Sequence, residues 1–287
     1  MTNRRHFLKQ SMLSGLLLTS GSIFAKSSKK KSHLCILHTN DVHSHIDPFP
    51  SDHPKFPNQG GFARRKELIT HIKAENTNTL LFDCGDIFQG TPYFNFYKGN
   101  IEIDLMNQMG YNAITIGNHE FDNGIEELAK VMTKANFRIV CSNYDFSNTP
   151  MQALTVPFTI FAFKNIKIGV IGLGIELEGL VDSNKYGKTK YIEPLERANY
   201  YSQLLKKDEK CDYVVCLSHL GYSYSNNKVS DLVLAKNTSY IDMILGGHTH
   251  TFLDEPTKVT NQINKEVIVN QVGWAGVKLG RLDIDFD

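Results

Sequence analysis

The chain has 287 residues, which is enough for one large α/β domain or two small ones. Its hydrophobic content of 41% and its charged content of 21% are ordinary for a globular protein, and they exclude an extensively disordered chain. The formal net charge is only +1, so the composition carries no electrostatic signature of nucleic-acid binding.

Residues 1–25 predict a signal peptide rather than part of the fold. Arg4, Arg5 and Lys9 precede an apolar segment at 12–25, which ends in the small residue Ala25. A membrane-spanning helix needs about 20 apolar residues, so we expect no stable membrane anchor. The sequence Arg-Arg-x-Phe-Leu-Lys resembles a twin-arginine export signal, which predicts a periplasmic protein in a bacterium. An ordinary secretory signal with two arginines is the alternative.

Removal of this segment leaves a mildly acidic chain. Three of the 31 basic residues and none of the 30 acidic residues precede Ala25, which leaves 28 basic residues against 30 acidic ones. We therefore expect no nucleic-acid partner. Residues 26–32 are predicted to be a basic linker, and residues 33–287 a single folded domain. The five cysteines form no Cys-x-x-Cys pair, and we interpret them as small buried apolar residues rather than as disulfides.

Predicted strands and helices alternate through the first half of the chain, which indicates βαβ units. The strands are expected at 34–37, 79–82, 111–116 and 137–141, and the helices at 62–74, 101–109 and 124–135. Residues 89–92 are predicted to be a turn because they contain Gly90 and Pro92.

The second half adds antiparallel pairing to this pattern. Residues 158–163 and 166–172 predict a β-hairpin. Helices are expected at 193–207 and 229–236, and strands at 213–217, 241–245, 266–270 and 277–286. The predicted fold class is α/β (α+β), a β-sandwich of two mixed sheets flanked by helices.

Five predicted strands end in residues of the types that bind metal ions. These residues are Asp41 and His43, Asp86, Asn118 and His119, His219, and His248 and His250. Carboxylate oxygen and imidazole nitrogen together suit zinc, manganese or iron. There are too many ligands for one ion, so the sequence predicts two divalent metal ions that act on a phosphoryl group.

The spacing of two motifs suggests how their side chains point. In Gly247-His248-x-His250, alternate residues of a strand-like segment would face one way. Asn118 and His119 are adjacent and would point apart in an extended chain, so only one of them is expected to bind metal.

The ordered set of motifs resembles the calcineurin-like metallophosphoesterase signature, through Asp41-x-His43, Gly85-Asp86, Gly117-Asn118-His119-Glu120, His219 and Gly247-His248-x-His250. More narrowly, Gly85-Asp86-x-Phe88-Gln89-Gly90-Thr91-Pro92 and Asn118-His119-Glu120-Phe121-Asp122 resemble the catalytic domain of the 5'-nucleotidase family. The resemblance extends from about residue 33 to the end, and implies a four-layer metallophosphoesterase fold for this domain.

The resemblance also implies a role for each residue. Asp41, His43 and His250 would hold one metal ion, and Asn118, His219 and His248 the other, with Asp86 bridging both. A metal-bridging hydroxide would attack phosphorus in line with the leaving oxygen. His119 would assist the leaving group, and Asp122 would orient its imidazole.

The resemblance leaves the substrate open. Two-domain family members carry a C-terminal nucleotide-binding domain, and the sequence ends where the catalytic domain is expected to end. The expected substrate is a phosphate ester, such as a nucleoside 5'-monophosphate, and a separate nucleotide-binding protein could supply specificity. The alternatives are a broad or cyclic-nucleotide phosphodiesterase, a thiosulfohydrolase-like enzyme and a metal-retaining binding protein. Phe88, Tyr93, Phe94 and Asn143 are candidates for lining a substrate pocket.

Overall fold

The computed structural model describes residues 32–226 and 228–286, and Ser32–Phe286 form one unit. The predicted signal peptide and nearly all of the predicted linker lie outside the described residues. No helix in the described ranges combines the length and the apolar character needed to cross a bilayer.

Helices are distributed along the described chain as α1 Phe62–Glu75, α2 Pro92–Tyr97, α3 Asn100–Met109, α4 Ile125–Met132, α5 Ser183–Tyr186, α6 Pro194–Lys207 and α7 Asp231–Asn237. A 3₁₀ turn spans His119–Phe121.

The strands of the first half are β1 Ser32–Thr39, β2 Thr79–Asp83, β3 Ala113–Ile114, β4 Arg138–Val140, β5 Tyr144–Asp145, β6 Thr155–Val156 and β7 Phe158–Phe163. Those of the second half are β8 Ile166–Leu173, β9 Lys190–Tyr191, β10 Tyr213–Ser218, β11 Met243–Leu245, β12 Thr257–Thr260, β13 Glu266–Asn270 and β14 Gly280–Phe286.

Two six-stranded mixed sheets carry the fold. The first has the order β14-β1-β2-β3-β4-β6, in which only β14 runs antiparallel to its neighbour. The second has the order β12-β13-β11-β10-β8-β7, with antiparallel strands at its two edges. The predicted sandwich of two mixed sheets is confirmed, as is the hairpin, which β7 and β8 form.

Alternation along the strands builds the layers. In β1, Leu34 and Ile36 belong to an apolar cluster shared with Val215 and Leu245 of the second sheet. Cys35 and Leu37 face the other way, into a cluster that includes buried residues of α1, α3 and α4. A third cluster joins the outer face of the second sheet to α6 and α7. Helices therefore cover both outer faces of the sandwich.

Three local predictions were wrong. Pro92 begins α2 instead of ending a turn, because proline is well suited to the first turn of a helix. The strand predicted at 111–116 pairs only at Ala113–Ile114, and its polar neighbour Asn112 uses its side chain to accept from Leu81 N at 2.8 Å. The strand predicted at 277–286 begins only at Gly280.

Candidate metal centre

The seven predicted ligands lie in loops that follow five strands. They are Asp41 and His43 after β1, Asp86 after β2, Asn118 after β3, His219 after β10, and His248 and His250 after β11. Strands β1, β2 and β3 are mutually parallel, and so are β10 and β11. Parallel strands present their carboxyl ends at one edge of a sheet, and both sheets direct these loops to a common site.

Several of these ligands have unusual backbone conformations. The φ angles are 49° at Asp41, 49° at His43, 56° at Asp86, 71° at His248 and 51° at His250. Such left-handed conformations cost non-glycine residues about 1–3 kcal/mol each and cluster at functional sites. They turn the chain sharply after β1, β2 and β11.

This geometry corrects two arguments made from sequence. The segment around His248 and His250 is a loop, so strand alternation does not describe it, and the two imidazoles belong to different ligand groups. Asn118 is helical, with φ −78° and ψ −33°, and His119 begins the 3₁₀ turn. The two side chains nevertheless have different partners, His248 for Asn118 and Asp122 for His119.

Asp41, His43 and His250 form the first ligand group, in which all donor atoms lie within 4.8 Å of one another. His250 Nε2 lies 3.3 Å from Asp41 Oδ1 and 3.0 Å from His43 Nε2. His43 Nδ1 is 3.2 Å from the carbonyl oxygen of Phe88. If Nδ1 donates its proton there, the Nε2 lone pair faces the centre, as in metal-binding histidines.

Asp86, His219 and His248 form the second group, under the same 4.8 Å separation. His219 Nε2 lies 3.0 Å from Asp86 Oδ2, and His219 Nδ1 lies 2.7 Å from the carbonyl oxygen of Cys84. His248 Nδ1 is 3.0 Å from Asn118 Oδ1, which adds the amide to this group. Asp86 Oδ2 is also 4.0 Å from His43 Nε2, so this carboxylate lies between the two groups.

Glu120 holds the loop that carries Asp86. This buried carboxylate accepts hydrogen bonds from the backbone nitrogens of Asp86 at 2.9 Å, Ile87 at 2.7 Å and Gly117 at 2.6 Å. Burial raises the pKa of Glu120 to about 7. Glu120 thus fixes the loops after β2 and β3 relative to each other without itself facing the ligand groups.

The charges of the site are tightly linked. Burial lowers the pKa of His43, and it lowers the pKa of His248 to about 4, which leaves both imidazoles in the neutral form that binds metals. Burial opposes protonation of His219 too, but the charge of Asp86 outweighs it and raises the pKa of His219. The buried carboxylate of Asp86 therefore needs a positive charge beside it.

The donor set fits two divalent cations. His219 Nε2 is fully buried and lies 3.0 Å from Asp86 Oδ2, but the angle between them is poor for a hydrogen bond and no other described residue offers it one. The Nε2 atoms of His43 and His250, meanwhile, lie 3.0 Å apart and face the same point. Oxygen and imidazole nitrogen form the ligand set that zinc, manganese and iron accept. A cation in each group would satisfy these atoms.

His119 stands beside the two groups with a partner of its own. Its Nδ1 lies 2.9 Å from Asp122 Oδ2, and this hydrogen bond raises the pKa of His119. Its backbone nitrogen donates to Asp86 Oδ1 at 2.9 Å. His119 is therefore fixed at the ligand cluster, while about one third of its side chain is exposed to solvent.

A cavity of about 390 Å³ opens over the ligands, and His43, Asp86, Asn118, His119, His248 and His250 contribute to its wall. Sequence reasoning did not assign Gln89 or Trp274, which also line it. In the sequence, Trp274 could have been noticed as a possible pocket residue because it is the single tryptophan of the chain and lies in a glycine-flanked segment. His45 also lines the cavity; its position two residues after His43 made it a weak candidate in the sequence.

The candidate pocket residues outside the metal set lie elsewhere. Phe88 and Phe94 are buried and stack on each other. Asn143 is buried, and its amide pairs with the backbone of Gly174. Tyr93 lines a neighbouring surface groove. None of these four contributes to the wall of the central cavity.

Comparisons with known proteins agree with this geometry. Residues 35–252 match the family described as calcineurin-like phosphoesterase. The trifunctional nucleotide phosphoesterase protein YfkN of Bacillus subtilis is 32% identical over 88% of this chain and 18% of its own length. The snake venom 5'-nucleotidase of Crotalus adamanteus is 32% identical over 88% of this chain and 45% of its own length.

A solved structure extends the likeness to three dimensions. The 5'-nucleotidase precursor from Thermus thermophilus superposes with a TM-score of 0.81 and 33% identity, over 89% of this chain and 52% of that one. The chain thus spans about half or less of the length of these relatives. The family match covers most of the described residues and all seven clustered ligands. The chain therefore belongs to the calcineurin-like phosphoesterase family.

Proposed function

We propose that the protein is a dimetal phosphoesterase that hydrolyses phosphate esters, with nucleoside 5'-monophosphates or related nucleotides as its substrates. The observation that carries the proposal is the pair of ligand groups with Asp86 between them, at the base of a cavity that His119 also lines. The 5'-nucleotidases among the relatives support the choice of nucleotide.

In this proposal Asp41, His43 and His250 hold one cation. Asn118, His219 and His248 hold the other, and Asp86 contacts both. When bound, two divalent cations neutralise charge on the phosphate oxygens and make a water molecule acidic enough to act as nucleophile near neutral pH. The protein supplies the fixed geometry, because left-handed turns hold the backbone at the ligands after β1, β2 and β11.

His119 acts on the leaving group. Asp122 holds Nδ1 of the imidazole, which leaves Nε2 free to donate a proton to the departing oxygen. The hydrogen bond from the backbone nitrogen of His119 to Asp86 keeps the imidazole in register with the ligand cluster. The residue thus links the reacting ester to the two groups without serving as a ligand.

The test uses purified protein with manganese or zinc and measures phosphate release from AMP and from p-nitrophenyl phosphate. Asp86→Ala should abolish release, because it removes the carboxylate between the two groups. Asp104→Ala, an exposed carboxylate on α3, is the matched control and should retain full activity. Full activity in Asp86→Ala would contradict the dimetal assignment.

A substrate panel separates the remaining possibilities. Release from nucleoside monophosphates without cleavage of cyclic nucleotides would indicate a monoesterase, and the reverse would indicate a diesterase. Cleavage of a thiosulfate ester alone would indicate the thiosulfohydrolase-like alternative. Metal binding with no turnover of any ester would indicate a binding protein.

Export and partnership are part of the same proposal. The basic, apolar and small-residue order of residues 1–25 supports export by the twin-arginine route to a bacterial periplasm. A separate nucleotide-binding protein is the proposed macromolecular partner. Running the substrate panel with and without the product of an adjacent gene tests it, since a partner that supplies specificity would change the preferred ester.

A further inference from the structure

A second cavity, of about 570 Å³, borders the central one. Its wall is largely aromatic and is formed by His53, Phe56, Phe252 and Trp274, together with Pro54, Lys55 and His250. We refer to the cavity lined by these seven residues as the aromatic cavity. Its size falls within the range of about 300–1,000 Å³ that is common for small-molecule pockets.

The aromatic cavity is continuous with the metal centre. His250 and Trp274 line both cavities, and their rings stack with centroids 5.7 Å apart and planes 9° apart. His250 is also a member of the first ligand group. A substrate whose phosphate lies at the metal centre therefore needs only to pass Trp274 for its other end to enter the aromatic cavity.

The wall has the chemistry of a stacking site. The rings of His53 and Phe56 stack with centroids 5.8 Å apart and planes 10° apart. The ring centroids of Phe56 and Phe252 lie 5.6 Å apart. These side chains are partly exposed, so their ring surfaces are not used up by packing. A planar aromatic group gains stacking energy on such surfaces, whereas a small aliphatic alcohol gains little.

The wall is also held in place before any ligand binds. Phe252 packs so closely on Gly273 that a side-chain carbon at Gly273 would overlap its ring. Phe56 sits in a hydrogen-bonded loop, in which its backbone nitrogen donates to His53 Nδ1 at 3.0 Å and its carbonyl oxygen accepts from Gln59 N at 3.1 Å. A rigid wall loses little conformational entropy on binding.

We propose that the aromatic cavity binds the nucleobase of the substrate and is a specificity site built from this chain's own loops. The inference rests on the proposed function, because it assumes that the phosphate end of the ligand lies at the metal centre. Phe56, Phe252 and Trp274 supply the stacking surfaces, and Lys55 supplies a hydrogen-bond donor at the rim.

A neighbouring groove of about 610 Å³ is the competing location. Phe96, which is 80% exposed, and Tyr97 line it, but it shares only His45 with the central cavity. The aromatic cavity shares two residues, one of them a proposed ligand. Phe96 therefore offers a matched control, since it is an exposed phenylalanine that does not line the aromatic cavity.

The first experiment measures binding without catalysis. Trp274 is the only tryptophan of the chain, so its fluorescence reports directly on the aromatic cavity. Titration with adenosine, which carries no phosphate, should change this fluorescence in a saturable way. Phe56→Ala should weaken adenosine binding about 5- to 100-fold, the usual effect of removing one stacking partner, and Phe96→Ala should not change it.

The second experiment measures selectivity. Phe56→Ala should raise the KM for AMP by a similar factor and leave kcat/KM for glycerol 2-phosphate unchanged. Phe56→Leu, which keeps the apolar volume, should lose AMP selectivity as well, and matched thermal unfolding curves establish that both variants are folded. Equal losses on both esters would overturn the proposal, as would undiminished adenosine binding by Phe56→Ala or weakened binding by Phe96→Ala.

The two experiments also separate this inference from the proposed function. Adenosine binding that depends on Phe56, in a protein that hydrolyses no ester, would refute the proposed function and leave the base site standing. Hydrolysis of AMP that neither Phe56 variant changes would refute the base site and leave the proposed function standing.

Discussion

The Nε2 atoms of His43 and His250 face each other at 3.0 Å, although 207 residues separate them in sequence. Asp41 Oδ1 lies 3.9 Å from Nε2 of His43 and 3.3 Å from Nε2 of His250. Two imidazole nitrogens at this distance repel each other if both present lone pairs, and a metal cation bound between them removes the repulsion. The first ligand group should therefore be stabilised by metal more than by any contact among its own side chains.

Metal should accordingly raise the thermal stability of the protein. A ligand present at 100 times its Kd adds about 2.7 kcal/mol, which corresponds to a Tm increase of roughly 5–10 °C for a domain of this size. Chelator should reverse the increase, as followed by circular dichroism with and without manganese or zinc. His250→Ala should reduce the increase because it removes one ligand.

His71→Ala is the matched control for this measurement. His71 lies on α1 with 71% of its side chain exposed and pairs only with Glu75 among the described residues. This variant should keep the full metal-dependent increase in Tm. An equal metal response in His250→Ala would remove His250 from the ligand set.

His119→Ala should lower the rate of phosphate release without removing metal. A proton-transfer group contributes about 10²- to 10⁴-fold to a rate, so a loss of this size in kcat is expected. Metal content measured by atomic emission should match that of the wild type, because His119 belongs to neither ligand group. Loss of one metal ion per chain would make His119 a ligand and refute its role at the leaving group.

Asp122→Asn tests the positioning of that imidazole. The amide keeps the size of the carboxylate but loses the charge that faces His119 Nδ1 at 2.9 Å. We expect a smaller loss in kcat than for His119→Ala, and no further loss when the two substitutions are combined. If the kcat losses of the two single variants multiplied in the double variant, Asp122 would not act through His119.

Glu120→Ala should destabilise the fold by about 3–5 kcal/mol, because each buried donor left without a partner costs about 1–3 kcal/mol. The carboxylate accepts from four backbone nitrogens in the loops after β2 and β3. Urea denaturation gives the free energy of unfolding. Glu126→Ala, an exposed carboxylate in the first turn of α4, is the control and should stay within about 0.5 kcal/mol of the wild type. Similar values for both variants would mean that Glu120 has no structural role.

The strands and helices with strong periodicity were predictable from the sequence, and so was the list of residues at their carboxyl ends. Strand β1 is a continuous buried run, and helix α1 buries residues at helical spacing, namely Phe62, Arg65, Ile69 and Ile72. The order in which the strands pair could not be predicted from the sequence, because β14 pairs with β1 from the far end of the chain.

The directions of the ligand side chains could not be predicted from local sequence patterns either. The turns at Asp41, Asp86 and His248 have positive φ, which aspartate and histidine adopt more readily than most residues but which the surrounding contacts have to select. The alternation of His248 and His250 suggested that their side chains face one way, but they lie in a loop and belong to different groups, as the family resemblance implied. The role of Trp274 depends on contacts with residues far away in sequence, such as His45 and Phe49.

His33 offers a pH-dependent prediction away from the metal centre. It lies at the start of β1, with Nδ1 3.0 Å from Asp285 Oδ1 and Nε2 3.1 Å from Asp283 Oδ1 on β14. Only the doubly protonated ring donates to both carboxylates. The hydrogen bond to Asp285 is the main reason why the pKa of His33 is raised above 6.5 in the folded protein.

A raised folded pKa means that the contribution of His33 to stability is fully present below the unfolded pKa of about 6.5, and is lost as pH rises through the folded value. Because the pair is exposed, we expect it to contribute less than about 1 kcal/mol. NMR titration of the His33 ring should give a lower pKa in Asp285→Asn than in the wild type. Asp254→Asn, whose carboxylate pairs with Lys278, should leave the His33 titration unchanged. An unshifted His33 pKa in Asp285→Asn would show that this strand-edge pair does not form in solution.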